Sequence, residues 1–328
     1  MKLILGFSIP LLFGNLFQQF YSMVDTMIVG RVLGTGPLAA VGSTGSITFL
    51  IIGFCLGLCS GFAIPVAQRF GSRDYKELRR FIGNAVWLCV GFGIVLTVLT
   101  VIFCRNILEF MDTPADIIDD AYAYLVVIFA GIPATFLYNM LAGIQRAIGD
   151  SRTPVVILVI ASIINIVLDI VLVVFIPMGV AGAAVATVAS QLIGGVVCLL
   201  YVSKHYEVLK MTREDFKINV PCIKRLLSMG LPMALQTSIT AIGSVILQAS
   251  VNSLGSTVVA SITAGSRLYM FFACAYDAMG VTMSTYSGQN IGARKIDRIG
   301  QGVKACNIVG IIYSCLLYTS PSPRDGAT

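Results

Sequence analysis

Four ionisable side chains sit well inside long apolar stretches of this 328-residue chain: Asp25, Asp169, Arg267 and Asp277. A charge at the centre of a bilayer costs about 2.5–3.5 kcal/mol on insertion scales, so such residues usually face a cavity and do work there. Asn165 precedes Asp169 by one helical turn and shares its face. Pro177, Met178 and Gly179 mark the turn of a helical hairpin, with Asp169 nine residues before Met178 and Thr187 nine after it. At about 1.5 Å per residue both lie roughly 13 Å from that turn, at matching depth. Asp25 lies six residues inside Arg31, which marks the outer end of the first apolar stretch. Two carboxylates, one carboxamide and one hydroxyl can therefore meet in the outer half of one bundle, wetted and facing each other across a pocket. Such hard oxygen ligands suit a desolvated Na⁺ held by Asp25, Asn165, Asp169 and Thr187. They equally suit two carboxyls that trade a proton, because neighbouring carboxylates cannot both ionise cheaply in a low dielectric. Residue identity leaves both ions open. The plainer reading is a neutral carboxyl that joins two helices. Arg267 and Asp277 fall on different helix faces and take no role.

The elements that must carry these residues are membrane spans. Apolar residues make up 57% of the chain and charged residues 12%, about half of what a soluble domain needs to cover its surface. A crossing needs about 20 apolar residues, and the stretches 5–31, 38–68, 82–104, 121–146, 155–176, 180–203, 225–252 and 258–288 qualify, with a ninth from about 303 to 318. Pro10, Pro65, Pro133 and Pro232 lie inside spans, where each removes a hydrogen bond and can kink its helix. Pro10 is the kink expected in the first span. The first span follows Lys2 without a cleavage site and is read as retained. The nine cysteines show no metal spacing and read as packing residues, and His205 as an interfacial residue. No nucleophile–base set, metal motif or phosphate loop is present, so no enzyme and no cofactor are expected beyond the coupling ion.

Basic residues set the orientation. Arg69, Arg73, Lys76, Arg79 and Arg80 follow span two, Arg146 and Arg152 follow span four, Lys204 to Arg225 follow span six, and Arg294, Lys295, Arg298 and Lys304 follow span eight. The alternate loops hold Arg31, Arg105 and a group of acids. The chain is therefore expected to be a multi-pass protein of the inner (plasma) membrane with a cytoplasmic N-terminus. Its net charge of +6 follows from this asymmetry and calls for no nucleic-acid partner. The expected partners are the lipid bilayer and small organic substrates, with the protein a monomer.

An internal repeat is the strongest organisational signal. Gln68, Gly71 and Arg73 recur as Gln289, Gly292 and Arg294 at a constant offset of 221, and Ile9-Pro10 recurs as Leu231-Pro232 at 222. Six spans separate the copies, so both units run the same way across the membrane, a pattern common in transporters. The expected division is a first six-helix bundle over 1–204, a linker over 205–224, and a partial second bundle over 225–317. Residues 318–328, with two prolines and no apolar period, read as a non-native tail, with a genuine short linker as the alternative. With the second bundle incomplete, the 328 residues alone are not expected to transport.

These residues also resemble a known family. Tyr21-Ser-Met-Val-Asp25-Thr-Met-Ile-Val-Gly30-Arg31 resembles the first span of the multidrug and toxic compound extrusion (MATE) transporters. Arg146-Ala-Ile-Gly149-Asp150-Ser-Arg-Thr-Pro154 resembles their loop between spans four and five, and Asn165-Ile-Val-Leu-Asp169 their fifth span. The two Gln-x-x-Gly-x-Arg segments resemble their duplicated loops. The resemblance implies an all-α polytopic membrane protein of two parallel six-helix bundles, the second incomplete here, working by alternating access. It implies an antiporter that exports amphipathic or cationic organic compounds in exchange for H⁺ or Na⁺. It also implies that Asp25, Asn165, Asp169 and Thr187 line a first-bundle cavity bordered by Tyr124. Span seven holds no acid, only Gln236 and Gln248, which points to first-bundle coupling and to the DinF-like branch. The alternatives are a lipid-linked oligosaccharide flippase, which the acidic first bundle disfavours, and a passive channel.

Overall fold

A computed structural model of the chain describes the backbone of residues 2–252 and 256–318. The side chains of 245, 248–252, 256–261, 263, 264, 267 and 268 lie outside that description, so Arg267 and Gln248 stand without a structural account, as do residues 319–328. Among the described residues every regular element is helical. Seven of these helices are long and apolar enough to cross a membrane, eight if one bent pair counts as a span.

Helix α1 (Lys2–Val32) runs unbroken through Pro10. The second expected span is split into α2 (Thr35–Ser43) and α3 (Gly45–Gly71) at Thr44, whose hydroxyl donates to the Val41 carbonyl. The third, α4 (Tyr75–Ile102), starts seven residues before the apolar run suggests. Asp74 explains the difference: its side chain accepts from the Glu77 N–H at 3.1 Å and caps a charged first turn. A short α5 (Cys104–Phe110) fills what reads in sequence as an acidic loop. The fourth span is α6 (Ile118–Ala130) and α7 (Ile132–Ala147), bent by 46° at Gly131. Pro133 starts α7 at a position where its missing N–H costs nothing. Helices α8 (Arg152–Asp169) and α9 (Val180–His205) form the hairpin, followed by α10 (Val220–Asn252), α11 (Ser256–Gly292) and α12 (Ile296–Tyr318).

The two repeats meet along two related seams. On α3, Gly53, Gly57 and Gly61 recur every fourth residue and face Thr237, Ala234 and Gly230 of α10 in antiparallel order. A Cβ on Gly57 would lie 2.6 Å from the Ala234 Cα, and one on Gly61 2.5 Å from the Gly230 Cα. Small residues at this spacing let helix backbones touch in a membrane, where packing rather than water drives association. The counterpart seam joins α1 to α11. There Ser8 donates to the Thr282 hydroxyl oxygen at 2.8 Å, the Asn15 amide reaches the Cys274 carbonyl at 3.4 Å, and Phe20 meets Phe271 edge-on. Shifting the α3–α10 partners by the repeat offset gives the α1–α11 partners, as expected for two units related by a two-fold axis along the membrane normal.

Loops at the basic face are tied to the first bundle. Arg79 pairs with Asp215 at 3.5 Å, and the Trp87 ring N–H donates to the Phe216 carbonyl at 2.9 Å. Asp150 Oδ1 accepts from the N–H groups of Arg152 and Thr153, capping α8, while Oδ2 accepts from the Tyr206 hydroxyl past the end of α9. Burial alone would raise the Asp150 pKa, but the donors from Thr153, Tyr206 and Arg152 outweigh it and hold the carboxyl below its ordinary value. A depressed folded-state pKa gives stability that is present above the ordinary carboxylate range and lost as pH falls below it. Asp150→Ala is therefore expected to cost about 1 kcal/mol, as for other lost caps. The wild-type advantage in unfolding temperature should begin to shrink below about pH 4 and be lost only as pH falls through the depressed folded-state value. Equal midpoints for the two proteins from pH 7 down to pH 3 would contradict this role.

Candidate ion-coupling site

The site is assembled from α1, α6, α8 and α9. Asp25 and Asp169 come side by side, with their carboxyl groups within hydrogen-bonding reach of each other. Tyr124, on α6, lies within electrostatic range of both carboxyls, and so does Tyr21, one turn before Asp25 on α1 and close to Gln18. Tyr21 and Gln18 are absent from the sequence-based set. The four-residue spacing from Tyr21 to Asp25 is the signal that could have included the tyrosine.

Asp169 is the last residue of α8 before a turn of π-helix over Ile170–Phe175. Such wide turns are rare and often occur at functional positions. The turn is accommodated because Gly182 on α9 has no side chain: a Cβ there would stand 2.9 Å from the Leu172 carbonyl oxygen. The close approaches of Leu172 to Gly182 and of Ala161 to Gly194 set the register of the hairpin. Asp169 is then level with about Val185–Ala186, and Thr187 lies some 1.5–3 Å deeper. The Thr187 hydroxyl donates to the Ala183 carbonyl of its own helix at 3.1 Å, which leaves its oxygen lone pairs available.

What distinguishes the site is unmet hydrogen-bonding capacity. Asp25 Oδ1, both Asp169 oxygens and both polar atoms of the Asn165 side chain are buried and have no partner among the described residues. Buried polar atoms in folded proteins are nearly always paired, and exceptions call for a proton, an ion or water. Asp169 is 0% and Asn165 1% exposed, while Asp25, Tyr21 and Tyr124 keep partial exposure. The expectation of an open, wetted pocket thus meets a more closed arrangement, in which Asp169 and Asn165 are buried and Asp25 keeps partial exposure. Asp277 lies on the exposed face of α11, away from this cluster.

At the opposite, basic end the repeat motifs cross. A Cβ on Gly71 would fall 1.9 Å from the Gln289 carbonyl oxygen, and one on Gly292 1.8 Å from the Gln68 carbonyl oxygen. The Gln289 amide donates to the Ala147 carbonyl at 2.8 Å. The basic face is therefore shut between the repeats.

Comparison with known proteins agrees with this architecture. The MatE family model matches residues 10–171 and 232–320, two segments whose starts are separated by the repeat offset. A probable multidrug resistance protein of Bacillus subtilis, YoeA, is 30% identical over 323 residues, covering 95% of this chain and 70% of the relative. The DNA damage-inducible protein F of Escherichia coli is 26% identical over 323 residues, covering 94% of this chain and 68% of the relative. A solved MOP superfamily transporter from Pyrococcus furiosus superposes with a TM-score of 0.91 at 24% identity, covering 96% of this chain and 70% of that one. With a repeated motif, two inter-repeat seams and a family match over both segments, the chain belongs to the MatE family of membrane transporters.

Proposed function

We propose that the protein is a secondary antiporter that exports amphipathic or cationic organic compounds in exchange for H⁺ or Na⁺. The observation that supports it is the Asp25–Asp169 pair, brought together inside the first bundle with its oxygens short of donors. Two adjacent carboxylates in a low dielectric repel each other, and one proton between them or one Na⁺ relieves that repulsion. The oxygen-only set of Asp25, Asn165 and Asp169, with Thr187 at similar depth, fits a small hard cation. An arriving organic cation competes for the same negative charge, so ion and substrate exclude each other, as exchange requires. The face opposite the crossed motifs is the side to which the site opens when the basic face is shut. The excess of basic residues in those loops supports a cytoplasmic position for the shut face and for the N-terminus, in a plasma membrane.

The test is efflux from vesicles. An imposed proton or sodium gradient is expected to drive export of a fluorescent organic cation against its own gradient, and collapse of that ion gradient should stop it. Substrate flux that runs only downhill, whatever ion gradient is imposed, would rule out the antiporter.

A further inference from the structure

The basic face carries a feature that the Asp25–Asp169 site does not use. Where the closed seam meets α1, a cavity of about 500 Å³ is lined by Arg73 from the first repeat and by Lys295 and Arg298 from the second, and also by Tyr75 and Thr285. An adjoining cavity of about 270 Å³ shares Leu3, Ile4 and Tyr286 with it and adds Lys2. Among the described residues no carboxylate lines either space. None of the four cations has an ion-pair partner among the described residues. The nearest acids in sequence are Asp74, whose carboxylate is engaged by the Glu77 N–H, and Asp297, and neither reaches the lining.

Lys224 and Arg225, near the start of α10, are exposed, as are Lys2, Arg73, Lys295 and Arg298, but the latter four line adjoining cavities. Cations gathered around a concave space repel one another unless an anion sits among them. Arginine favours the planar oxygen array of phosphate, and lysine binds it as a point charge. The hydroxyls of Tyr75 and Thr285 supply neutral donors, and Leu3 and Phe7 of α1 provide an apolar wall beside them. We infer that this basic pocket binds a phosphate-bearing anion, and that the bound anion holds the basic face closed because its ligands come from both repeats.

The phosphate could belong to an anionic lipid headgroup or to a small soluble phosphate, and one titration separates the two. The purified protein in neutral detergent is titrated with phosphatidylglycerol, with phosphatidylcholine and with inorganic phosphate, and the unfolding temperature is followed. A saturable rise is expected with phosphatidylglycerol and not with phosphatidylcholine. A rise with inorganic phosphate as well assigns a soluble source. The Arg73→Gln, Arg298→Gln double variant is expected to need at least about tenfold more ligand for the same rise. Lys224→Gln, Arg225→Gln, which removes equal charge from the same face outside the pocket, should match the wild type. If the pocket variant fails to fold, Lys295→Gln alone carries the same test. The inference is overturned if neither phosphate source stabilises the wild type, or if the two double variants respond alike.

Discussion

Replacing Asp169 by Asn is expected to abolish gradient-driven efflux while leaving the folded protein at least as stable as the wild type. Both effects come from one fact: the Asp169 carboxyl is wholly buried and neither oxygen has a donor among the described residues. An ionised carboxylate in that position is costly to fold, and an isosteric amide removes the cost, so the unfolding temperature should hold or rise. The same substitution deletes one of the two charges that hold the coupling ion beside Asp25. Breaking a buried charge pair by removing one partner costs about 3–5 kcal/mol. At 1.4 kcal/mol per tenfold, that is a loss of about one hundred to a few thousandfold in affinity for the ion. Asp25→Asn should act in the same direction, and the double variant should be little worse than either single one, because the two residues work as one unit. Efflux assays on vesicles with matched protein levels measure this, and the ion requirement can be read at the same time. If the ion is H⁺, efflux by the wild type should vary with pH at constant Na⁺; if it is Na⁺, efflux should saturate with Na⁺ at constant pH. Undiminished coupled efflux by Asp169→Asn would sink the mechanism.

The large features were legible because membranes restrict what a sequence can do. Long apolar runs in lipid must be helices, since every backbone group has to be paired internally. The repeat offset alone placed Gln68-x-x-Gly71 and Gln289-x-x-Gly292 at equivalent ends of their spans. The meeting of Asp25 and Asp169 followed from counting residues out to Arg31 and to the Met178 turn. The illegible parts depend on neighbours distant in sequence or on local backbone detail. Hydropathy misses the start of α4 because its first turn is charged, although Asp74 with Glu77 three residues later is a readable cap. The π-helical turn after Asp169 has no signature in Ile-Val-Leu-Val-Val-Phe, and what admits it is the absence of a side chain at Gly182. The bend falls at Gly131, two residues before Pro133, where a Cβ would meet Val188 Cγ2 at 2.3 Å. The Gly53, Gly57, Gly61 stripe was readable at its four-residue spacing, yet which helix it faces is fixed only by packing.

The crossed motifs carry the second large effect. Both α3 and α11 end alike: Arg73 and Arg294 adopt left-handed backbone, at φ 59° and 57°. In each case a residue five back and a residue three back accept the closing hydrogen bonds, Asp74 to Arg69 with Arg73 to Phe70, and Lys295 to Asn290 with Arg294 to Ile291. These are Schellman terminations, and they hold each glycine against the other repeat's glutamine carbonyl. A methyl group needs about 3.5 Å or more from such an atom, so the 1.8–1.9 Å available cannot be relieved by a side-chain rotation: backbone must part from backbone. Gly71→Ala and Gly292→Ala are each expected to prise the basic face open, cut efflux by at least about tenfold, since steric conflict in packed interiors typically costs 1–3 kcal/mol, and do so to a similar degree. Spin labels on Lys76→Cys and Asp297→Cys report the opening as a longer mean separation in both variants. A control with Ala at Gly300, where a Cβ meets nothing within 4 Å, should leave distance and efflux unchanged. If the two glycine variants keep wild-type separation and wild-type efflux, the crossed motifs are not the closure of this face. If only one of them opens it, the closure is local to one repeat and the two-fold gate is wrong.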